Sequence, residues 1–361
     1  MKIVIFGLSV SSSWGNGHAT LWRGLCAALA RRAHDVIFFE RNVPYYAAHR
    51  DLVRLPAGEL ILYDDWPAVA PVARRHLSEA DVAMVTSYCP DAMIASQFVL
   101  ESSAGVRCFY DLDTPVTLDR LERGLRVDYI GARGLRDFDL TLSYVGGTAL
   151  SKLRNMLGAV AVAPLFGSVD PKTHFPVKYS QKYRAQLSYL GTCAADRQER
   201  LEALFVEPAK RFPNWKFVIG GSMYDDSFPW QPNIFLMSHV PAADHPSFYC
   251  SSLLNLNVTR RAMADNGYCP SGRLFEAAAC GAAIVSDEWE GLSMFFNPDE
   301  EILIAKQTED VVAALQRSPE ELARIGRAAR ERTLEQHTAD VRAIEMENIL
   351  NSFRCAPAGV G

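Results

Sequence analysis

The chain has 361 residues, of which 49% are hydrophobic and 22% are charged, and it carries a formal net charge of -5 at pH 7. The length predicts two domains, because a single hydrophobic core rarely grows to this size. The acidic balance provides no basic surface for DNA or RNA, so nucleic acid is not an expected partner.

The cysteines and the apolar runs indicate the cellular compartment. The eight cysteines never fall in C-x-x-C spacing, and most lie inside apolar runs, where a thiol behaves as a small hydrophobic group. Nowhere do about 18 apolar residues follow one another, and the apolar N-terminal stretch lacks a cleavage region. We therefore expect a cytoplasmic protein without a signal peptide or a membrane span.

Short runs rich in Val, Ile and Phe alternate with longer helical patterns, which is typical of parallel sheets covered by helices. In the first half of the chain the predicted strands are 2–7, 35–40, 81–88, 107–112, 140–144 and 159–165. In the second half they are 187–192, 216–220, 234–240, 253–258, 282–287 and 301–305. The pattern predicts an α/β protein with two consecutive Rossmann-like sheets.

The stretch GSVDPKTHFPVKYSQKYR separates the two series of strands. It has no hydrophobic period and predicts a linker at 171–184, between an N-terminal domain 1–170 and a C-terminal domain 185–335. Farther on, Ser318 and Pro319 predict the capped start of a helix, and a second helix is expected from about residue 338 to residue 351. Ligands of open parallel sheets bind at the carboxyl ends of the strands, so we expect each sheet to supply half of a site in a cleft.

The stretch CPSGRLFEAAAC predicts an anion site at a helix start. Ser271 and Gly272 begin the helix, and its free N–H groups point at any bound anion. Arg273, with Arg260 or its neighbour Arg261, would complete a pocket for a diphosphate.

Glu276 lies one helical turn beyond this pocket, on the same face as Gly272 and Arg273. The rest of the helix is apolar, and burial of an acid without a partner is costly. We therefore expect Glu276 to accept hydrogen bonds from ribose hydroxyls. The alternative is an ion pair with Arg273.

Two other strand ends of the second sheet provide candidate donor-binding residues. After strand 187–192, Gly191 permits a close backbone approach, and Thr192 and Arg197 are candidate phosphate ligands. The alternative is a plain turn with a solvent-facing arginine. At the end of strand 234–240, His239 and Val240 are expected beside the phosphate site, where backbone groups would contact a nucleobase.

A metal site built from His239, Asp244 and His245 is a weaker hypothesis. These residues lack the helical H-x-x-x-H spacing and a third paired ligand. We expect no metal.

The loop GNGHAT, after the first strand, lacks the third glycine of a dinucleotide fingerprint. It offers Gly17 as a candidate donor-binding residue and His18 as a candidate base, because histidine takes up protons near neutral pH. Asp111 and Asp113 end a strand of the same sheet, and either would orient the imidazole. The alternatives are a helix cap for His18 and a local turn at Asp113 before Pro115.

The chain resembles the CgeB-like proteins, a branch of the GT-B glycosyltransferases, in the stretches LNVTRRAMADNGYCPSGRLFEAAACGAAIVSDEWEGL, YDLDTPVTL, FGSVDPKTHFP and YLGTCAADRQ. These motifs are spread over nearly the whole chain. The resemblance implies two Rossmann-like domains facing a central cleft and a final helix, 336–353, that crosses back to the first domain. It also implies a nucleotide-sugar donor on the C-terminal domain, an acceptor facing the N-terminal domain, and no metal.

By position in these motifs, the resemblance implies that Glu276 binds the ribose and that Ser271 and Gly272 bind the diphosphate. His18 stands where inverting members with a G-H loop keep their base. Retaining members often have a second glutamate at the place of Tyr268, so the sequence favours inversion.

The sequence therefore predicts a transferase that moves a sugar from a UDP- or dTDP-sugar to a hydroxyl of a small molecule or glycan. A nucleotide-sugar epimerase of the same fold and a non-catalytic carbohydrate-binding protein are alternatives. A nicotinamide dehydrogenase, with Glu40 on the ribose, is a further alternative, although the glycine fingerprint is missing.

Overall fold

The computed structural model describes residues 1–55 and 58–354. It divides into two compact units: unit 1 contains Met1–Phe166 and the chain from Ala339 onward, and unit 2 contains Gly167–Thr338. The last cysteine, Cys355, lies outside the described residues, and the other seven are free thiols. In residues 1–55 and 58–354, no helix has the length and apolarity needed to cross a membrane.

Unit 1 contains a seven-stranded parallel sheet in the order β3-β2-β1-β4-β5-β6-β7. The strands are β1 Lys2–Gly7, β2 Asp35–Arg41, β3 Glu59–Tyr63, β4 Val82–Thr86, β5 Val106–Asp111, β6 Leu140–Ser143 and β7 Val162–Pro164. The helices are α1 Gly17–Arg31, α2 Pro44–Ala47, α3 Trp66–Ser78, α4 Ala92–Glu101, α5 Thr114–Glu122 and α6 Ala149–Leu157. The chain reverses its direction of strand addition between β1 and β4, where open α/β sheets bind ligands.

Unit 2 repeats this plan with six parallel strands in the order β10-β9-β8-β11-β12-β13. The strands are β8 Ala185–Leu190, β9 Phe217–Gly220, β10 Ile234–Met237, β11 Ser252–Asn257, β12 Ile284–Asp287 and β13 Leu303–Ala305. The helices are α7 Gln198–Leu201, α8 Glu207–Arg211, α9 His245–Cys250, α10 Arg261–Asn266, α11 Gly272–Ala279, α12 Thr308–Leu315 and α13 Pro319–Gln336. The two parallel sheets confirm the predicted α/β class, and the reversal point of this sheet lies between β8 and β11.

Helix α14, Ala339–Arg354, follows α13 and belongs to unit 1. It packs on α1, and its apolar residues Ala343, Met346 and Leu350 are fully buried in the core of unit 1. An ion pair of 2.8 Å between Arg31 and Asp340 lies beside this contact.

Local sequence accounts for the ends of the helices. The Ser318 hydroxyl accepts a hydrogen bond from the Glu321 N–H, and Pro319 occupies the first turn of α13, which confirms the predicted helix start. Helix α11 ends before Gly281, whose φ of +71° lies in the left-handed region that glycine adopts without steric cost.

Residues 167–184, the stretch that the sequence predicts as a linker at 171–184, lie in unit 2 and form no helix. A backbone bridge joins Val169 to Thr338, and the His174 side chain is 5% exposed. This segment therefore brings a buried histidine to unit 2.

Candidate functional site

The first cluster of candidate residues lies at the carboxyl ends of the strands of unit 1. Asn16 caps α1 by accepting a 3.0 Å hydrogen bond from the backbone N–H of His18. This cap places His18 in the first turn of the helix, where its Nε2 lies 3.0 Å from Asp113 Oδ2. The Ser87 hydroxyl donates to the same Asp113 oxygen at 2.8 Å. The structure therefore pairs His18 with Asp113 in the arrangement that a general base requires.

Asp111 has a different role from Asp113. Its Oδ1 accepts a 3.1 Å hydrogen bond from the Asp113 backbone N–H, which forms the local turn, and its buried Oδ2 has no hydrogen-bond partner among the described residues. Burial and the neighbouring Asp113 carboxylate raise the pKa of Asp111 to about 7. Asp111 therefore binds a proton far more readily than an ordinary aspartate.

The pKa of His18 is the net result of opposing effects. Burial lowers it, whereas the charge and hydrogen bond of Asp113 and the charge of Asp111 raise it, and the pKa ends above its ordinary value. Nδ1 of His18 is buried and has no hydrogen-bond partner among the residues that the structure describes. Since Nε2 faces the carboxylate, Nδ1 is the nitrogen left to accept a proton.

The carboxylate of Glu40 is fully occupied by the loop after β1. It accepts hydrogen bonds from Ser9 Oγ, Val10 N, and both N and Oγ of Ser11, at 2.6–2.9 Å. Glu40 is also completely buried. The dehydrogenase alternative is wrong about this residue, because Glu40 fixes the loop and has no exposed surface for a ribose.

The second cluster lies in unit 2 at the start of α11. Ser271 is the N-cap residue, but its side chain makes no capping hydrogen bond, and the space where a Gly272 Cβ would stand is open. The helix end therefore keeps backbone donors that its own cap residue does not satisfy. An anion at this position gains these N–H groups and the positive end of the helix dipole.

Two arginines, Arg197 and Arg273, lie at the Tyr189 ring, and the charge of a third, Arg260, acts on Arg197. The guanidinium carbons of Arg197 and Arg273 lie 5.9 and 5.5 Å from the ring centre. Arg260 forms a 2.9 Å ion pair with Asp196. Burial, together with the positive charges of Arg273 and Arg260, lowers the pKa of Arg197. Among the described residues Arg197 and Arg273 form no ion pair within 4.0 Å, so their guanidinium groups remain for a bound anion.

Arg197 is buried and donates to the Thr192 carbonyl, so the alternative of a solvent-facing arginine is wrong. Its Nε has no partner among the described residues. Arg261, the other candidate beside Arg260, is 75% exposed and faces Asp265 at 3.8 Å. The structure therefore selects Arg260 for the cluster.

Gly191 lies where two loops of unit 2 meet backbone to backbone. A Cβ on Gly221 would stand 2.1 Å from the Gly191 carbonyl oxygen, and one on Gly191 would stand 2.6 Å from the Tyr189 hydroxyl. This close approach explains glycine at both positions. The His239 side chain is exposed after the end of β10, whereas Val240 is buried.

Glu276 is buried and has protein partners, which corrects the expectation of an acid without one. The Tyr249 hydroxyl donates to its Oε2 at 3.0 Å, and His245 Nδ1 lies 3.9 Å from the same oxygen. Burial raises the pKa of Glu276, but His174, His245, Tyr249 and Arg273 lower it by more, and the result lies below the ordinary value. Glu276 is therefore an ionised carboxylate at neutral pH.

The potential metal ligands of unit 2 differ from the set named in the weaker hypothesis, whereas the sequence predicts no metal. Asp244 accepts hydrogen bonds from Tyr183 at 2.6 Å and Lys182 at 3.1 Å. One ligand atom each of His174, His245 and Glu276 lies within 4.8 Å of the other two. The hypothesis of a site at His239, Asp244 and His245 is therefore wrong in two of its three residues.

Sequence reasoning missed the side chains that surround the predicted residues. Ser87, Tyr189 and Tyr249 all lie at or next to strands or helices that the hydrophobic pattern marks as core. His174 lies in the predicted linker. The prolines and the missing period of that stretch indicate a loop, but they carry no signal for a buried side chain.

Comparisons with known proteins agree with this architecture. Residues 197–348 match the sequence model of a family described as "Glycosyl transferase-like". A comparison with curated protein sequences finds no match. Sucrose-phosphate synthase from Thermosynechococcus elongatus is 15% identical and has a TM-score of 0.69, with 99% of this chain and 100% of that chain covered.

Two further structures contain UDP or a UDP-sugar. Anabaena HepE in complex with UDP and glucose is 10% identical with a TM-score of 0.68, covering 98% of this chain and 100% of that one. An alpha-glucosyltransferase in complex with UDP-glucose and DNA is 11% identical with a TM-score of 0.69, covering 97% and 99%. The fold of this chain is that of the GT-B glycosyltransferases, and its C-terminal part matches a glycosyl transferase-like family.

Proposed function

We propose that this chain is a glycosyltransferase of the CgeB-like kind that uses a UDP-sugar as donor. The observation that carries the proposal is the start of α11, where the N-cap side chain makes no capping hydrogen bond, Arg273 lies in the first turn and Glu276 lies one turn farther along. The family match and the UDP bound by two similar structures support the choice of donor.

In this proposal the donor is held by positive charge and by a carboxylate. The diphosphate binds the N–H groups at Gly272 and the guanidinium groups of Arg260 and Arg273, and a dTDP-sugar has the same diphosphate. Glu276 accepts hydrogen bonds from the ribose through Oε1, to which none of the described residues donates a hydrogen bond. Because these cationic groups neutralise the diphosphate, the transfer needs no metal.

The chemical step uses His18 of unit 1 as general base. Its Nδ1 takes the proton of the acceptor hydroxyl, and the oxygen forms a bond to the anomeric carbon of the sugar. The bond from that carbon to the diphosphate breaks, with inversion, and the electron pair leaves with the diphosphate. Asp113 stabilises the imidazolium, and the arginines stabilise the departing charge, which is commonly the largest catalytic effect.

The acceptor in this proposal is a glycan or a small molecule with a hydroxyl group. One similar structure contains DNA, but the formal net charge of -5 does not favour a nucleic acid acceptor here. A soluble sugar acceptor with no net charge avoids that repulsion.

Calorimetric titration with UDP tests the donor site directly. We expect Arg273→Ala to weaken binding by about 10- to 100-fold, since hydrogen bonds to charged groups contribute about 1.5–3 kcal/mol. Arg261→Ala is the matched control, because the Arg261 side chain is 75% exposed and lies outside the arginine cluster. A wild-type protein that does not bind UDP, or equal losses in the two variants, would contradict the proposal.

Incubation with UDP-glucose tests the reaction class. A transferase produces glycoside when an acceptor is added and only slow hydrolysis without one. Conversion of the donor to an epimer in the absence of acceptor would identify the protein as an epimerase instead. Donor binding without turnover across a panel of acceptors would identify a carbohydrate-binding protein.

A further inference from the structure

His174, His245 and Glu276 come from three separate parts of unit 2. His174 lies in the segment between β7 and β8, His245 begins α9, and Glu276 lies within α11. One ligand atom from each lies within 4.8 Å of the other two, and His245 Nδ1 is 3.9 Å from Glu276 Oε2. Two imidazoles and a carboxylate therefore converge on one point.

The two imidazoles direct atoms without partners into this cluster. His174 Nε2 and His245 Nδ1 are buried, and neither has a hydrogen-bond partner among the described residues. His174 is only 5% exposed. Buried polar atoms are usually satisfied, so two nitrogens without a partner beside one carboxylate point to a ligand that all three groups share.

The hydrogen bonds of His174 decide which of its nitrogens carries the proton. The single hydroxyl hydrogen of Thr173 is donated to the Asp170 carbonyl at 2.9 Å. Thr173 Oγ1 therefore accepts from His174 Nδ1, 3.0 Å away, and Nε2 keeps its lone pair. Fixing the distal nitrogen in this way is what the outer partners of metal-binding histidines do.

The backbone holds these groups in place before any ligand arrives. The His174 N–H donates to the Asp170 carbonyl at 3.0 Å, and Val169 N–H donates to the His337 carbonyl at 3.1 Å. The Tyr249 hydroxyl, 3.0 Å from Glu276 Oε2, orients the carboxylate. The cluster is thus anchored at two of its three residues by hydrogen bonds outside it.

We propose that His174, His245 and Glu276 bind a divalent transition-metal ion of the zinc class. Two imidazole nitrogens and one carboxylate oxygen suit Zn²⁺, whereas Mg²⁺ and Ca²⁺ prefer oxygen ligands alone. A tetrahedral ion with bonds of about 2.1 Å needs ligand atoms about 3.4 Å apart. The present separations, 3.9 Å for His245 Nδ1 and Glu276 Oε2 and at most 4.8 Å for any pair, are longer, so the side chains would move closer together when the ion binds. Water would supply the fourth ligand.

The metal site shares Glu276 with the proposed donor site, and only this coupling rests on the proposed function. An ion on Glu276 neutralises the carboxylate that accepts the ribose hydroxyls. Zn²⁺ and UDP therefore oppose each other, and each lowers the affinity of the protein for the other. The ion would act on the enzyme as an inhibitor.

Calorimetric titration of the full chain with ZnCl₂ alone tests the site. We expect one ion per chain, and a loss of more than about 10-fold in affinity in His174→Gln and in His245→Gln. His49→Gln is the control, because His49 is exposed and belongs to unit 1. Equal affinity in all four proteins would mean an adventitious ion only and would overturn the proposal.

Spectroscopy with Co²⁺ separates lost ligands from lost folding. We expect the intense visible absorption of tetrahedral cobalt in the wild type and its absence in His174→Gln. Circular dichroism of the variant should match that of the wild type. A folded variant that keeps the cobalt spectrum would contradict the assignment of His174.

Titrations with UDP, in the presence and absence of Zn²⁺, test the coupling. Zn²⁺ chelates the diphosphate equally in all samples, so only the difference between the wild type and His174→Gln is informative. We expect Zn²⁺ to weaken UDP binding more in the wild type, and an equal effect in both would overturn the coupling. Zn²⁺ binding without UDP binding would support the proposed metal site and contradict the proposed donor site.

Discussion

Each unit buries a carboxylate in its own cluster of candidate residues, and the pKa values of the two carboxyl groups are shifted in opposite directions. In unit 1 the pKa of Asp111 is raised to about 7, because a second carboxylate, Asp113, adds to the effect of burial. In unit 2 the pKa of Glu276 is lowered although the residue is equally buried, because imidazoles, a phenol and a guanidinium surround it. Burial raises the pKa of both carboxyl groups, and only the neighbours of Glu276 are strong enough to reverse the direction of the shift.

This contrast divides the chemistry between the units. The two acids of unit 1 raise the pKa of His18 and prepare it to hold a proton. In the proposed function, the arginines of unit 2 bind the diphosphate of the donor. The following changes test the contrast, from the largest expected effect to the smallest.

Substitution of His18 should have the largest effect, because it removes the proposed general base. We expect His18→Ala to lower kcat by about 10²- to 10⁴-fold, the usual contribution of a general base. The affinity for UDP, measured by calorimetry, should stay within about twofold of the wild type, since donor binding is assigned to unit 2.

The matched control for His18→Ala is His49→Ala, which removes an exposed histidine of the same unit. It should retain the kcat of the wild type. Wild-type turnover in His18→Ala would show that His18 is not the base. The comparison between the units would then hold for the pKa shifts but not for catalysis.

Substitution of Asp111 tests the raised pKa. Between the unfolded pKa of 3.8 and the folded pKa of about 7, the folded state holds a proton on Asp111 that the unfolded state has lost, so stability falls as the pH rises from 5 to about 7 and then levels off. One pKa unit corresponds to 1.36 kcal/mol, so this fall is on the order of 2–3 kcal/mol. Asp111→Asn keeps the shape of the side chain but cannot ionise, so it should remove this fall in the free energy of unfolding. Urea unfolding at pH 5 and at pH 8 measures it.

One result would contradict the raised pKa of Asp111. If Asp111→Asn and the wild type lose the same free energy of unfolding between pH 5 and pH 8, then Asp111 is ionised throughout. Asp139→Asn is the control, because burial raises the pKa of Asp139 but the hydrogen bonds and charge of Arg107 lower it by more and leave it below its ordinary value. That variant should keep the pH dependence of the wild type over this range.

The fold was accessible from the sequence because central parallel strands are buried on both faces and are therefore continuous apolar runs. Strands β1 and β9 illustrate this, since nearly all of their residues are buried. Strand β3 was missed. It is an edge strand with a largely exposed or half-buried pattern, so its sequence ELILY follows Gly58 without a clear period.

From the sequence, site residues could be predicted only where their place at a helix start or a strand end fixes their position. Helix starts and strand ends place His18, Asp113 and Gly272 at the predicted edges of the sheets. His174 was out of reach, because its position depends on how an irregular segment packs on α9 and α11. Tyr249 was out of reach for the same reason: a buried phenol at a helix end has the same sequence signal whether or not it meets a carboxylate.

Substitution of Glu276 tests the lowered pKa and the ribose contact together. Glu276→Gln removes the charge with little change in shape, and UDP affinity should fall by about 10-fold or more, since charged acceptors contribute about 1.5–3 kcal/mol. The folded pKa lies below the unfolded one, so the carboxylate stabilises the wild type above the unfolded pKa. The variant should therefore unfold more easily at pH 7.

Glu309→Gln is the control for Glu276→Gln, because Glu309 is exposed in the same unit and pairs with Arg211. It should bind UDP as the wild type does. An unchanged UDP affinity in Glu276→Gln would mean that Glu276 does not bind the ribose. The two carboxyl groups would then differ only in how their pKa shifts affect stability.

Substitution of Asp113 should have the smallest and most specific effect, a shift of the pH profile. A base works only when it is deprotonated, so kcat/KM of the wild type should rise with pH through the elevated pKa of His18. Asp113→Asn removes a charge that raises the pKa of His18, while burial still lowers that pKa. The rise of kcat/KM should therefore move to lower pH. The plateau should also fall, because the imidazolium loses its partner. If the rise stays in place while the plateau falls, Asp113 only positions the ring, and the proton affinity of His18 has another source.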